Sequence, residues 1–168
     1  MKLRMKKLIS IRNIAVLAMA LLIVLGSALA EPARDPVSGY GLSVLDLSTG
    51  QSSGNVTLFV RGEELLADLS VTDVVMVFSD EGVMHATALS TLDFGGGSTL
   101  TTEDKIVAEP SGPISFTVNE ALTIISGTGA YEGASGKLSV HGQMQFVEPP
   151  FAKVSFEICG VISSVETE

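Results

Sequence analysis

Apolar and polar positions alternate along most of the chain beyond Tyr40, in short runs separated by clusters of Gly, Pro and Asp. The alternation is clearest in the last two runs. Their apolar positions share one strand face: Leu138, Val140, Met144 and Phe146 in one run, and Val154, Phe156 and Ile158 in the other. Strands that are apolar on one side and polar on the other are typical of antiparallel sheet.

Turn-forming segments divide these runs at hairpin spacing. They include residues 79–82 (SDEG), 95–98 (GGGS) and 110–113 (PSGP), whose residue types favour tight reversals of the backbone. The only stretch with a helical pattern is Glu63–Leu69, which an extended conformation fits as well. The pattern therefore predicts one all-β domain over residues 40–168, either a barrel or a sandwich.

The first thirty residues differ from the rest. Residues 1–13 are basic, residues 14–25 (IAVLAMALLIVL) are apolar, and the run ends in Ala-Leu-Ala, as a signal peptide does. We expect cleavage after Ala30 and a secreted or periplasmic protein; an uncleaved anchor is the alternative. Residues 31–39 hold two prolines and predict a flexible arm. No later run is long enough to span a bilayer, so we expect no stable membrane insertion after cleavage.

Charge and cysteine content exclude several classes. Residues 1–30 hold five of the ten Lys and Arg residues and no acidic residue, which leaves five basic against 19 acidic residues beyond them. Such a chain is not a polybasic nucleic-acid binder. Its single cysteine, Cys159, cannot form an intrachain disulfide, and is either a small strand residue or a reactive thiol. His85 and His141 are well separated and near no cysteine cluster, so we expect neither a metal site nor a cofactor.

The most distinctive segment is Ile124–Gly136 (IISGTGAYEGASG). It does not fit a dinucleotide fingerprint, because Glu132 occupies the third glycine position, nor a phosphate loop, because Tyr131 occupies the first. We expect two tight turns that need positive φ or close chain approach, with the tyrosine packed between them. The residues given this structural role are Gly127, Gly129, Tyr131, Gly133 and Gly136.

This segment resembles the motif of the allene oxide cyclase and dirigent barrel superfamily, with Ser126 in place of the usual first glycine. Phe94–Ser98, Thr102–Asp104 and Phe156–Ile162 extend the resemblance over about residues 75–165. It implies a closed, calycin-like, antiparallel eight-stranded β-barrel with a central apolar cavity, often assembled as a trimer. Plant members cyclise a fatty-acid epoxide or steer phenolic radical coupling. The charged early segment of the cyclases has no counterpart in Tyr40–Asp46, so no catalytic residue of the family is matched.

Two carboxylates are candidates for chemistry inside such a barrel. Asp104 is in register with Leu100 and Thr102, and Glu120 is in register with Phe116. If these positions face inward, burial would raise the pKa of a carboxyl group and suit it to proton transfer; the alternative is a solvated position at the barrel rim. The candidate ligand-binding residues are Leu100, Phe116, Met144 and Phe156. His85 is expected to be exposed or hydrogen-bonded, and His141 exposed.

Two hypotheses for function follow. In the first, a secreted barrel binds a small apolar or phenolic molecule and steers its cyclisation or coupling, as an isomerase or cyclase of allene oxide cyclase type. In the second, it is a non-catalytic structural, envelope or matrix protein with a filled barrel, which the 5% aromatic content favours. An inhibitor or adhesion module is a third, less supported reading. A cavity with a carboxylate at its wall would favour the first hypothesis, and a packed interior the second.

Overall fold

Eight strands and one short 3₁₀ turn make up residues 33–163, the part of the chain that the computed structural model describes. The predicted signal peptide lies outside these residues. In chain order the elements are β1 (Arg34–Asp46), β2 (Gln51–Val60), β3 (Glu63–Phe78), β4 (Met84–Asp93), β5 (Thr99–Gly112), β6 (Ser115–Thr128), the 3₁₀ turn (Gly129–Tyr131), β7 (Gly136–Glu148) and β8 (Phe151–Ser163).

The strands form a closed barrel in which each pairs antiparallel with the next in the chain. β1 also pairs antiparallel with β8, from Arg34 opposite Ser163 to Asp46 opposite Phe151. Closure leaves no strand edge with free backbone groups, which is how small all-β proteins avoid edge-to-edge association. This confirms the all-β class predicted from the residue pattern and the closed eight-stranded antiparallel barrel that the resemblance implies.

The structure decides one open alternative and corrects one prediction. Glu63–Leu69, for which the pattern allowed a helix or an extended conformation, is the start of β3 and pairs with β2. β1 begins at Arg34, so residues 34–39, predicted as part of a flexible arm, belong to the barrel wall. In both cases the ladder of backbone hydrogen bonds to neighbouring strands decides the conformation, and a local reading of residue types does not contain that information.

Two groups of buried apolar residues fill the two ends of the barrel. The larger, at the end where β1 begins, is built around Leu58, Leu100 and Leu138 and is joined by Phe94 and Tyr131. The smaller, at the opposite end, consists of the following buried residues: Leu45, Met84, Ala108, Val118, Met144 and Ala152. Leu58 and Leu100 are completely inaccessible to solvent. Most of the folding free energy of such a domain comes from burying side chains of this kind.

A β-bulge in β3 changes which positions of that strand face the barrel interior. The register with β4 shifts between Thr72 and Val75, where Asp73 has a φ of 54°. One extra residue in a strand reverses which positions face inward. Val71 before the shift and Val74 after it therefore line the same interior space.

Candidate functional site

A carboxylate lies fully buried inside the barrel. Asp104, in the middle of β5, has no solvent-accessible surface. Ser90 Oγ of β4 donates a hydrogen bond of 2.5 Å to its Oδ2, and Thr102 Oγ1 of β5 donates one of 2.6 Å to its Oδ1. Both donors face inward from positions opposite each other in the ladder. Each carboxylate oxygen thus has a hydroxyl partner, which buried charge requires.

A second carboxyl group, that of Glu120, lies beside Asp104 on the inner face of the wall. In the β5–β6 ladder Glu120 is opposite Ile106, and Asp104 is opposite Leu122. The two acidic residues are therefore diagonal neighbours on adjacent strands, an arrangement within which long side chains touch. The two carboxyl groups are close enough that each shifts the pKa of the other. Negative charges this close to each other disfavour ionisation of both groups at once.

Burial and mutual repulsion decide which group keeps its proton. Burial, and next the negative charge of Asp104, raise the pKa of Glu120 from 4.5 to about 8. Burial also raises the pKa of Asp104, an effect opposed by its hydrogen bonds to Ser90, Thr102 and Glu120. With more donors, Asp104 is the better place for the negative charge. At neutral pH Glu120 therefore keeps its proton, while the hydroxyl donors around Asp104 favour the ionised form of that group.

A cavity of about 110 Å³ lies in the barrel interior, and Glu120 forms part of its wall. Apolar side chains contributed by all eight strands make up most of that wall, among them Leu45, Val56, Met76 and Ile158. Polar groups come from Ser43, Ser52, Ser90 and Thr102. Among the described residues that line the cavity, Glu120 is the only titratable one. Its carboxyl group is thus available to whatever occupies the space.

The structure places the predicted site residues in different parts of the barrel. Glu120, Met144 and Phe156 line the cavity, whereas Asp104 supports it from behind through its contact with Glu120. Leu100 is fully buried in the larger core group instead. Phe116 packs against Phe146 at a ring-centroid distance of 5.6 Å and lies outside the cavity. The rim position considered for Asp104 is wrong, because the ladder places it far from either end of β5.

Ser90 and Thr102 are the functional side chains that the sequence reading did not single out as partners of Asp104. Both occupy inward positions in otherwise apolar rows. In β4 the buried positions are Met84, Ala86, Ala88, Ser90 and Leu92. A hydroxyl within such a row is a signal of a buried polar partner nearby. The partner itself follows only from the pairing of β4 with β5.

The glycine-rich segment has the structural role predicted for it. Gly129 and Gly133 have φ values of 58° and 75°, which favour glycine. A Cβ atom at Gly127 would collide with the backbone oxygen of Tyr131, and one at Gly136 with that of Val161. The Tyr131 ring packs against that of Phe94 at 4.6 Å and joins the larger core group. The segment therefore closes one end of the barrel and takes no part in the cavity.

The histidines and the cysteine lie outside the cavity. His85 is exposed on the outer surface. His141, also exposed, has its Nδ1 2.8 Å from Oδ1 of Asn119. Cys159 is an exposed free thiol. Within residues 33–163, no three His, Cys, Asp or Glu side chains are grouped to hold a metal ion.

Comparisons with known proteins assign no family to this chain. Neither the protein-family models nor the curated proteins with which the sequence was compared contain a match. In the described part of the chain, no helix is both long enough and apolar enough to cross a membrane. Function must therefore be argued from the cavity and the carboxyl pair.

Proposed function

We propose that this protein binds a small, mainly apolar molecule inside its barrel and that Glu120 holds the molecule's polar group. The observation that carries the proposal is the cavity itself, apolar on most of its wall and bordered by one carboxyl group. Ligand sites are usually of this kind, concave and apolar with few polar groups that orient the ligand. Export of the protein, predicted from its leader, belongs to the same proposal.

The size of the cavity limits the ligand. Its volume of about 110 Å³ is below the roughly 300–1,000 Å³ of drug-sized pockets. An apolar cavity of about 150 Å³ holds one benzene molecule. The ligand, or the part of it that enters the barrel, is then at most about the size of a single ring or a short alkyl chain.

The resemblance to allene oxide cyclases and dirigent proteins extends the proposal to chemistry. Those barrels bind and shape a reactive substrate, and Glu120 holds a proton at neutral pH that it could deliver to a bound molecule. Turnover of an epoxide or a phenol by the native protein, lost in Glu120→Gln with binding retained, would support an isomerase or cyclase. Binding without turnover would leave a carrier.

The second candidate is a structural barrel that binds nothing. The observation in its favour is that the volume is small and that both oxygens of Asp104 already have internal partners. A cavity-filling change distinguishes the two candidates. Ala86 is buried and lines the cavity, whereas Ala121 is exposed on the outer face of β6.

The test is native mass spectrometry and NMR titration of the purified protein with phenol and with lipid and phenolic extracts. We expect the native protein and Ala121→Leu to retain a ligand and Ala86→Leu to lose it. Equal behaviour of all three proteins, with no ligand retained, would establish the structural barrel.

A further inference from the structure

The cavity has an acidic pair at one wall and no positive charge to compensate it. Among the described residues that line it there is no Lys, Arg or His. Glu120 lines the cavity, Asp104 lies behind it, and the hydroxyl partners of Asp104, Ser90 and Thr102, supply no positive charge. A buried carboxylate with no cationic partner costs free energy. A ligand that brings the missing charge would remove that cost.

Among the described residues, those directly opposite the pair in the ladders carry no charge. Opposite Glu120 lie Ile106 on β5 and Val140 on β7, and opposite Asp104 lie Ala88 on β4 and Leu122 on β6. The remaining charge that acts on the pair is that of Glu103, an exposed neighbour whose negative charge raises the pKa of Asp104. At these paired positions, among the described residues, the two carboxyl groups are thus the only ionisable side chains.

We infer that the cavity selects a small aliphatic amine, bound as its ammonium ion against Glu120 with Asp104 behind it, over neutral or anionic molecules of the same shape. This inference rests on the proposed function. An ammonium group offers three N–H donors and accepts nothing, which matches carboxylate oxygens. Its alkyl chain would contact the apolar wall, while a carboxylate ligand would face two acidic groups and be repelled.

Binding of the cation changes the protonation of the pair. Glu120 is protonated in the empty barrel, and an ammonium ion at its carboxyl group favours the ionised form. The O–H bond of Glu120 breaks, its proton leaves to solvent, and the carboxylate remains paired with the ammonium ion. The net balance is the same if the amine enters the cavity neutral. It has then already given one proton to water, and it takes the proton of Glu120 to become the ammonium ion. Each amine bound near pH 7 therefore releases at most one proton; where Glu120 keeps its proton, the ammonium ion offsets the negative charge that the hydroxyl donors favour at Asp104.

Three probes of equal chain length test the selectivity. They are n-butylamine, 1-butanol and butyrate, titrated calorimetrically into the full protein at pH 7 in two buffers of different ionisation enthalpy. We expect n-butylamine to bind about tenfold more tightly than 1-butanol, as charge-assisted hydrogen bonds do, and butyrate not to bind. The buffer dependence should show release of at most one proton with the amine and none with the alcohol.

Glu120→Gln keeps the shape of the side chain and should reduce the preference for the amine over the alcohol to about onefold, without loss of alcohol binding. Glu109→Gln, an exposed change of equal charge on β5, is the control. Alcohol or butyrate binding as tight as amine binding would overturn the inference and leave the proposed function standing. Absence of binding by every probe would overturn both. Because the three probes are compared on the native protein, the test does not depend on the folding of a variant.

Discussion

Glu120 should make the protein less stable as the pH rises from about 4.5 to about 8. The folded state raises the pKa of this carboxyl group from 4.5 to about 8. Between those values the unfolded chain has lost the proton and the folded chain still binds it, so stability falls with increasing pH. One proton corresponds to about 1.4 kcal/mol per pH unit. Over the whole interval the loss has an upper limit of about 5 kcal/mol.

Glu120→Gln removes this titration while keeping a side chain that can donate to Asp104. We expect the variant and the native protein to have similar free energies of unfolding near pH 4.5, and the variant to be more stable by several kcal/mol at pH 8. Their stability curves should diverge by about 1.4 kcal/mol per pH unit in the middle of the range. The protein contains no tryptophan, so urea unfolding followed by far-ultraviolet circular dichroism is the suitable assay.

The exposed change Glu109→Gln controls for removal of one negative charge from the surface. Its curve should run parallel to that of the native protein between pH 5 and pH 8. Parallel curves for Glu120→Gln as well would refute the reasoning, because they would mean that Glu120 binds no more protons in the folded protein than in the unfolded chain. Asp104, whose pKa is also raised, contributes with the same sign in both proteins.

Three further predictions concern the frame of the barrel. Leu58→Ala should lower the free energy of unfolding in urea by about 2–5 kcal/mol, because it leaves a cavity at a fully buried position. The control, Leu66→Ala at a 69% exposed position, should change it by less than about 0.5 kcal/mol. Gly127→Ala should destabilise by about 1–3 kcal/mol through its collision with the Tyr131 backbone; an unchanged thermal midpoint would contradict this. Cys159 is exposed and should react with a thiol reagent such as dithionitrobenzoate in the folded protein, so a reaction seen only after unfolding would contradict its assignment.

β1 shows where hydrophobic alternation alone would mislead. Its inward positions include Gly41 and Ser43, whereas Leu42 is 67% exposed on the outer surface, with Tyr40 beside it at 55%. A Cβ atom at Gly41 would collide with the ring of Phe156 on β8. The inward face of β1 is therefore small because a neighbouring strand fills the space, and the larger residues face outward. Assigning the larger apolar residues of β1 to the barrel interior would therefore exchange the inner and outer faces of this strand.

The sequence by itself determined most of the strands and the turns between most of them, and it made Asp104 and Glu120 candidates for inward positions. These depend on local properties: a side-chain period of two along each strand, and residue types that permit tight turns. Glycines at positions such as Gly129 and Gly133 belong to the same class, since positive φ excludes most other residues.

Only the tertiary structure decided that the barrel closes through β1 and β8, that Ser90 and Thr102 hold Asp104, and that Glu120 rather than Leu100 or Phe116 lines the cavity. Each of these depends on the register between strands. A shift of one residue in any ladder would exchange inner and outer faces while leaving the local sequence pattern unchanged. The raised pKa of Glu120 has the same origin, because burial and a neighbouring charge act through space and not along the chain.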